Sequence, residues 1–241
     1  MISLGGTYEP IDSVRGITNK SSGKMGLELA KEAYIRGANL TLVVANVSVE
    51  IPSVFDVIKV ETGAQMNNIV LDLVPDFDIF ISTAAVSDFE FVKKSNKKID
   101  SSKSLSINLK PTTKIIRQIK KVNPDIFLVG FKAEFNISRD EIIECARKQI
   151  SDAGTDLVVA NDISKDCCHF GSDNNEVLIV DEDVLTVPLT SKKQVAKIIF
   201  DEISKKIWLH IYVIILNLFF IQILFNFLIH DLLLSIISHN Y

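Results

Sequence analysis

The feature that most constrains this chain is an alternation along its first two hundred or so residues. Short, continuous runs of Val, Ile and Leu are separated by stretches with helical periodicity. The apolar runs are Met1–Leu4, Leu40–Ala45, Ile79–Ser82, Phe127–Phe131 and Leu157–Ala160, and helical patterns fall near Lys24–Arg36, Ala64–Leu73, Thr113–Lys121 and Arg139–Ala153. Strands that are apolar on both faces and are joined through helices predict a mainly parallel sheet covered on both sides. In open sheets of that kind, ligands bind beyond the carboxyl ends of the strands. Polar segments follow four of the strands: Gly5–Gly23, Ala84–Phe89, Lys132–Glu134 and Asn161–Asp162. They are expected to converge on one site.

The fold expected is therefore an α/β, Rossmann-like three-layer domain over residues 1–206. Its first connection is the most telling. About twenty residues rich in Gly, Ser, Thr and Asn lie between the first strand and the first helix, where links usually run two to six residues. A strand feeding a helix through such a loop gathers unpaired N–H groups and a helix N-terminus, an arrangement suited to a phosphate. Two stretches break the alternation. Residues 93–110 carry six lysines, Lys93, Lys94, Lys97, Lys98, Lys103 and Lys110, with Leu105, Ile107 and Leu109 alternating, and read as a basic loop entering an edge strand. Glu176–Leu189 reads as a hairpin turning at Asp181–Asp183, followed by a helix near Lys192–Lys206.

Residues 207–241 differ in kind. No Asp, Glu, Lys or Arg occurs from Ile207 to Ile229, and Lys205 and Lys206 precede the run. The length suits a membrane helix with the globular part on the cytoplasmic side, although His210, Asn217, Gln222 and Asn226 dilute it. An apolar, helical tail is expected, with membrane contact through that tail only, and translated read-through into unrelated sequence is the alternative. A net charge of −4 gives no electrostatic reason for a nucleic-acid partner. Cys145, Cys167 and Cys168 are too few for a disulfide framework, which with the absence of a signal peptide points to a reducing cytoplasm.

Several signatures are excluded. Ser22-Gly23-Lys24-Met25 lacks the upstream glycine and the Ser/Thr of a P-loop, and no G-x-G-x-x-G follows the first strand. No helical Tyr is followed four residues on by Lys, and Cys167-Cys168-His169 lacks the spaced pairs of a structural zinc site. Those last three read as ordinary loop residues.

An ordered set of motifs then gives a resemblance. Gly5-Gly6-Thr7 with Glu9-Pro10-Ile11-Asp12, Val14-Arg15 and Asn19 through Gly26 opens it. Ala84 through Phe89, Lys97-Lys98-Ile99, Leu109-Lys110-Pro111-Thr112, Val129 through Glu134, Ala160-Asn161-Asp162 and Phe170 through Val177 follow in order. Over residues 2–205 the chain resembles phosphopantothenate–cysteine ligases. The resemblance implies a ligase of coenzyme A biosynthesis that joins 4′-phosphopantothenate to L-cysteine through an acyl-cytidylate, converting CTP to CMP and pyrophosphate with Mg²⁺. It implies catalytic roles for Asn19 and Lys98, and nucleotide contacts from Ala84, Ala85, Val86, Asp88, Lys98, Lys110, Pro111, Thr112, Thr113 and Phe131. Gly6, Arg15 and Asn19 are the implied substrate contacts, with Arg15 a candidate for the phosphate. Read from the residues, Asn19 has the alternative role of capping the helix that begins near Lys24.

The resemblance also implies a homodimer with the lysine-rich loop and edge strand at its interface, and a flavoprotein decarboxylase as a separate partner. The chain departs from the family pattern at Gln149 and Ala153, where nucleotide-binding lysines are expected. A truncated or inactive nucleotide-binding remnant, membrane-tethered or not, is the rival expectation.

Overall fold

The structure is a computed structural model that describes residues 1–102, 104–165 and 167–209. The chain divides into two units, Met1–Ile198 and Ile199–Tyr241. That division falls within the last helix, ahead of the boundary expected at 206. The apolar run expected to be a helical tail lies almost wholly outside the described residues. Among the described residues, no helix is long and apolar enough to cross a membrane.

An eight-stranded sheet carries the first unit. Its strands are β1 (Ile2–Leu4), β4 (Thr41–Val44), β5 (Asp56–Lys59), β6 (Ile79–Ser82), β9 (Phe127–Glu134), β10 (Leu157–Asp162), β11 (Asn174–Val180) and β12 (Val184–Ser191). The spatial order is β12-β11-β10-β9-β6-β1-β4-β5. Every pair from β5 across to β10 is parallel, while β11 and β12 close the edge as an antiparallel hairpin. Numbered among themselves along the chain, the parallel strands run 3-2-1-4-5-6. In this doubly wound order the connections diverge between β1 and β6, which opens a crevice there.

Helix α1 (Lys24–Ile35) packs on one face and α2 (Gly63–Leu73), α3 (Ile116–Val122) and α4 (Arg139–Ala153) on the other. Strand alternation sorts the core accordingly. Val43, Ala45, Phe80 and Leu128 pack with Met66, Val70 and Ile119, while Val158, Ala160 and Val180 pack with Ile142 and Ala146. Local chemistry fixes the helix ends. Thr62 with Gln65 and Ser138 with Glu141 form capping boxes for α2 and α4, and Gly154, at φ 68°, ends α4 in the left-handed conformation. A final helix, α5, begins at 192 and continues into the second unit to 209.

Three expectations are revised. The first connection is not all loop: β2 (Tyr8–Pro10) and β3 (Gly16–Thr18) form an antiparallel hairpin within it. The expected edge strand around 105–109 does not join the main sheet. Only β8 (Leu109–Pro111) is extended, pairing with β7 (Phe89–Phe91) in a separate ribbon that leaves Leu105, Ile107 and Leu109 exposed. That pairing also delays α3 from Thr113 to Ile116, because Thr112 donates its N–H to the Asp88 carbonyl and its hydroxyl to that of Ser87. Strand β5 escaped the sequence reading because Asp56-Val57-Ile58-Lys59 is short and half polar, as befits an edge.

Candidate active site at the sheet switch point

Loop ends are tied together above the carboxyl end of β1. Gly6 exchanges backbone hydrogen bonds with Asn46, the Thr7 N–H reaches the Ala85 carbonyl, and the Ala85 N–H reaches the Gly5 carbonyl. A Cβ on Gly6 would stand 2.7 Å from the Asn19 carbonyl oxygen, so only glycine lets the hairpin fold back this closely. Thr7, fully buried, accepts the Ser87 N–H at 2.9 Å. Buried Glu9 accepts the Gly63 N–H at 2.8 Å, which ties the hairpin to the start of α2.

These ties frame a cavity of about 480 Å³ at the crevice between β1 and β6. Its wall brings together Asn19, Ala84, Ala85, Val86, Asp88, Thr112, Thr113 and Phe131 from the expected site residues. Asn19 does not cap α1. Its Nδ2 donates to the Ala85 carbonyl at 3.0 Å, and the N-cap position is taken by Gly23, at φ 78°, without a side-chain cap. A Cβ on Gly23 would meet Val47 Cγ1 at 2.4 Å, so glycine is required for space as well as for conformation. The start of α1 borders the cavity beside Ser21 and Ser22, with the Lys24 N–H on the Ser22 hydroxyl at 3.4 Å. Asp88 pairs with Lys114 at the rim.

Gly6, Arg15, Lys98, Lys110 and Pro111 do not line this cavity. Lys110 pairs instead with Glu90 at 3.2 Å, holding that carboxyl below its usual range. Lys98 is exposed on the basic loop. Arg15 is held by Asp12, through Nε at 3.0 Å and Nη2 at 2.6 Å, and its Nη2 donates to the Ile99 carbonyl at 2.7 Å. Arg15 and Lys98 therefore belong to one flank, where the opening hairpin meets the basic loop.

The carboxyl of Asp12 organises that flank. It accepts the Ile99 N–H at 3.0 Å, the Arg15 guanidinium, and the N–H groups of Val14 and Arg15 at 2.8 Å each. Those donors, Ile99 first, hold its pKa well below the usual carboxylate range. A depressed folded-state pKa contributes stability that is present above the unfolded value, about 3.9, and lost as pH falls below it. The melting temperature is accordingly expected to drop on acidification from pH 5 to 3, and Asp12→Asn to flatten that limb. Parallel Tm–pH curves for the two proteins would assign the acid sensitivity to other groups.

The far arm of the cavity holds Cys168 and His169, read from the sequence as ordinary loop residues, beside Asn161, which was expected there. Cys168, buried, and His169 lie in its wall with Phe170, Asn161 and Asn175. Lys192, 6% exposed, donates to the Ser172 carbonyl, while Lys24 bonds the Gly171 carbonyl at 2.7 Å and Asp173 at 2.6 Å. Desolvation, and then the neighbouring Lys24, lower the Lys192 pKa, and the contact with Lys24 lowers that of Asp173. No spacing rule would have placed Cys168, His169 and Lys192 here, because they come from the β10–β11 connection and the start of α5. Asp162 supports it from below. Burial pushes its carboxyl up, but Ser164 and the Asn136 N–H outweigh that and keep it ionised.

A doubly wound sheet whose switch-point cavity is lined by an uncapped helix start, an anchored amide and flanking lysines defines an α/β domain built to hold an anionic small molecule. More specifically, the chain belongs to the family described as the DNA/pantothenate metabolism flavoprotein C-terminal domain, whose profile matches residues 1–207. It is 44% identical over 209 residues to the coenzyme A biosynthesis bifunctional protein CoaBC of Thermococcus kodakarensis, covering 85% of this chain and 50% of that protein. It is 37% identical over 210 residues to the CoaBC of Bacillus subtilis, again covering 85% and 50%. The chain thus spans about half the length of these relatives. Among solved structures, the C-terminal domain of CoaBC superposes with a TM-score of 0.71 at 29% identity, over 86% of this chain and 93% of that one. A DNA/pantothenate metabolism flavoprotein of Streptococcus pneumoniae gives 0.75 at 24% identity, over 85% and 97%, and speaks to the fold alone.

Proposed function

We propose that this domain is a phosphopantothenate–cysteine ligase of coenzyme A biosynthesis that works through an acyl-cytidylate. The observation that carries the reading is the placement of Asn19. Its amide is fixed on the Ala85 carbonyl between the uncapped start of α1 and the Ala84–Val86 segment, inside the switch-point cavity. A phosphorylated substrate suits the N–H groups of α1 with Lys24 and Lys192 nearby, and a nucleotide suits the wall formed by Ala84–Asp88, Thr112–Lys114 and Phe131. Membership of the family and the CoaBC relatives support the substrate class.

In this mechanism a carboxylate oxygen of 4′-phosphopantothenate attacks the α-phosphorus of CTP. The bond to the bridging oxygen breaks and pyrophosphate leaves. The amine of cysteine then attacks the acyl carbon and loses a proton, and CMP departs with the electron pair of the broken acyl–oxygen bond. One Asn19 N–H binds Ala85, which leaves the second to meet negative charge developing on the acyl oxygen. Bringing two anions together in one crevice is the main barrier, and the helix start and the lysines offset it.

Among the described residues no group of three or more His, Cys, Asp or Glu could hold a metal ion. Mg²⁺ commonly relies on substrate phosphates with one or two carboxylates, and Asp88 at the rim is a donor of that type. When bound there it would neutralise phosphate charge. The homodimer would use the flank bearing Arg15 and Lys98, where Val14, Phe89, Val92, Leu105, Ile107 and Leu109 are exposed. Arg15 and Lys98 would then serve their sites from the interface. A flavoprotein decarboxylase is the partner proposed, and the cytoplasm is the compartment.

The test follows pyrophosphate release by the full chain from CTP and 4′-phosphopantothenate, first without and then with cysteine. A limited release without cysteine and continuous turnover with it are expected. A folded protein that releases none in either condition would rule out the ligase. CTP binding without release would favour the inactive-remnant reading.

A further inference from the structure

Three consecutive carbonyls of the β10–β11 connection are held by donors that line the switch-point cavity. The Ser22 hydroxyl donates to the Phe170 carbonyl at 3.2 Å, Lys24 Nζ to that of Gly171 at 2.7 Å, and Lys192 Nζ to that of Ser172. A carboxylate comes next in the chain. Asp173 Oδ1 lies 2.6 Å from Lys24 Nζ, and the Asp173 carbonyl accepts the Lys192 N–H at 2.9 Å. The donors come from the loop before α1, the first residue of α1 and the start of α5, and all meet one short strap, residues 170–173.

One hydroxyl and two ammonium groups meeting three oxygens and a negative charge form the donor set that a phosphate monoester takes. The strap fills that set with weaker partners. An ammonium gains less from a neutral carbonyl than from a phosphate oxygen, where both partners are charged. Lys192 is 6% exposed, so a charge there is costly without an anion, and the strap gives its ammonium a neutral carbonyl. The anion that the strap does supply sits on Lys24. The Asp173 side chain is 87% exposed, and exposed ion pairs hold weakly.

We propose that residues 170–173 are a resident stand-in for the substrate phosphate, with Asp173 as a specificity residue. A phosphate takes Ser22, Lys24 and Lys192 and displaces the strap, whereas a substrate without one leaves the strap in place. Cys168, His169 and Phe170 belong to the cavity wall, so displacement widens the far arm. This deepens the ligase reading and rests on it, since that reading places a phosphorylated substrate here.

The test follows amide hydrogen exchange in the full chain alone, with inorganic phosphate, with 4′-phosphopantothenate and with pantothenate, at matched ionic strength. Both phosphates are expected to slow exchange in the first turn of α1. In the opposite sense, they should speed it about tenfold at Ser172 and Lys192, whose N–H groups are held by the His169 and Asp173 carbonyls. Pantothenate, which lacks the phosphate, should leave Ser172 and Lys192 as they are in the free chain. Asp173→Asn removes the competing charge. Its Ser172 and Lys192 should exchange fast before phosphate is added, and phosphate should bind about threefold more tightly, the scale of one exposed ion pair. A melting curve reports the folding of the variant. Slower or unchanged exchange at Ser172 and Lys192, with α1 protected by phosphate, would overturn the proposal and make the strap a fixed wall. Release of the strap by pantothenate would also overturn it, as would a folded Asp173→Asn that binds phosphate no more tightly. A wild-type chain in which neither phosphate alters α1 or the strap would instead remove the phosphate reading beneath it.

Discussion

Asn19→Ala is expected to separate the two half-reactions. Pyrophosphate should appear in a burst close to the amount of enzyme, and phosphopantothenoylcysteine formation should fall by roughly 10²–10³, the usual effect of removing one donor to a developing oxyanion. The expectation comes from what the amide does in this structure. It spends one N–H on the Ala85 carbonyl at 3.0 Å, which locks its orientation, and presents the other N–H to the cavity. Activation of the carboxylate relies on the helix start and the lysines, so it should persist. Quench experiments that trap the acyl-cytidylate in the variant check the partition. If Asn19→Ala turns over like the wild type, the amide has no catalytic part. If both half-reactions fall together with the melting temperature, its role is to hold the loop on Ala85.

Gly26→Val is expected to lift α1 from the sheet and destabilise the fold. Gly26 lies in the first turn of α1, where the helix crosses β1. A Cβ there would stand 2.5 Å from Leu4 Cβ and 2.6 Å from Thr83 Oγ1. Leu4 Cβ is fixed to a strand and cannot swing aside, so α1 must lift from the sheet. Overpacking of this kind costs about 1–3 kcal/mol, at its upper end for a β-branched residue. For a domain of this size, about 3 kcal/mol lowers Tm by roughly 6–12 °C. Because α1 supplies the cavity's helix start, ligand binding should weaken as well. Gly37→Ala is the matched control. Its φ of 79° makes alanine unfavourable by about 1–2 kcal/mol, yet nothing lies within 4 Å of the added methyl. A Tm loss for Gly26→Val no larger than for Gly37→Ala would show that the close approach does not govern the seating of α1.

Much of the fold was legible because burial on both faces leaves a strong record. Leu40–Ala45, Ile79–Ser82 and Leu157–Ala160 read as interior strands, and the helical periodicity near Ala64–Leu73 and Arg139–Ala153 marks the helices beside them. What was illegible depends on partners distant in sequence. Leu105, Ile107 and Leu109 alternate like a sheet strand, yet the pairing of Leu109–Pro111 with Phe89–Phe91 diverts them to an exposed ribbon. Cys168 and His169 carry no spacing signal, and enter the site only because the β10–β11 connection folds over the carboxyl ends of the parallel strands.

The opening segment marks the division most clearly. Sequence alone determined a strand, a glycine-rich connection, a helix and the family motifs running through them, since local propensity and burial pattern are written residue by residue. Tertiary structure decided what each polar group faces. It turned Asn19 to Ala85 and the cavity, bound Arg15 to Asp12 and Ile99 on the outer flank, and set Gln149 over Gly130 without a partner. The physical reason is that a hydrogen bond's direction and a side chain's desolvation depend on groups tens of residues away, which only the folded sheet brings within reach.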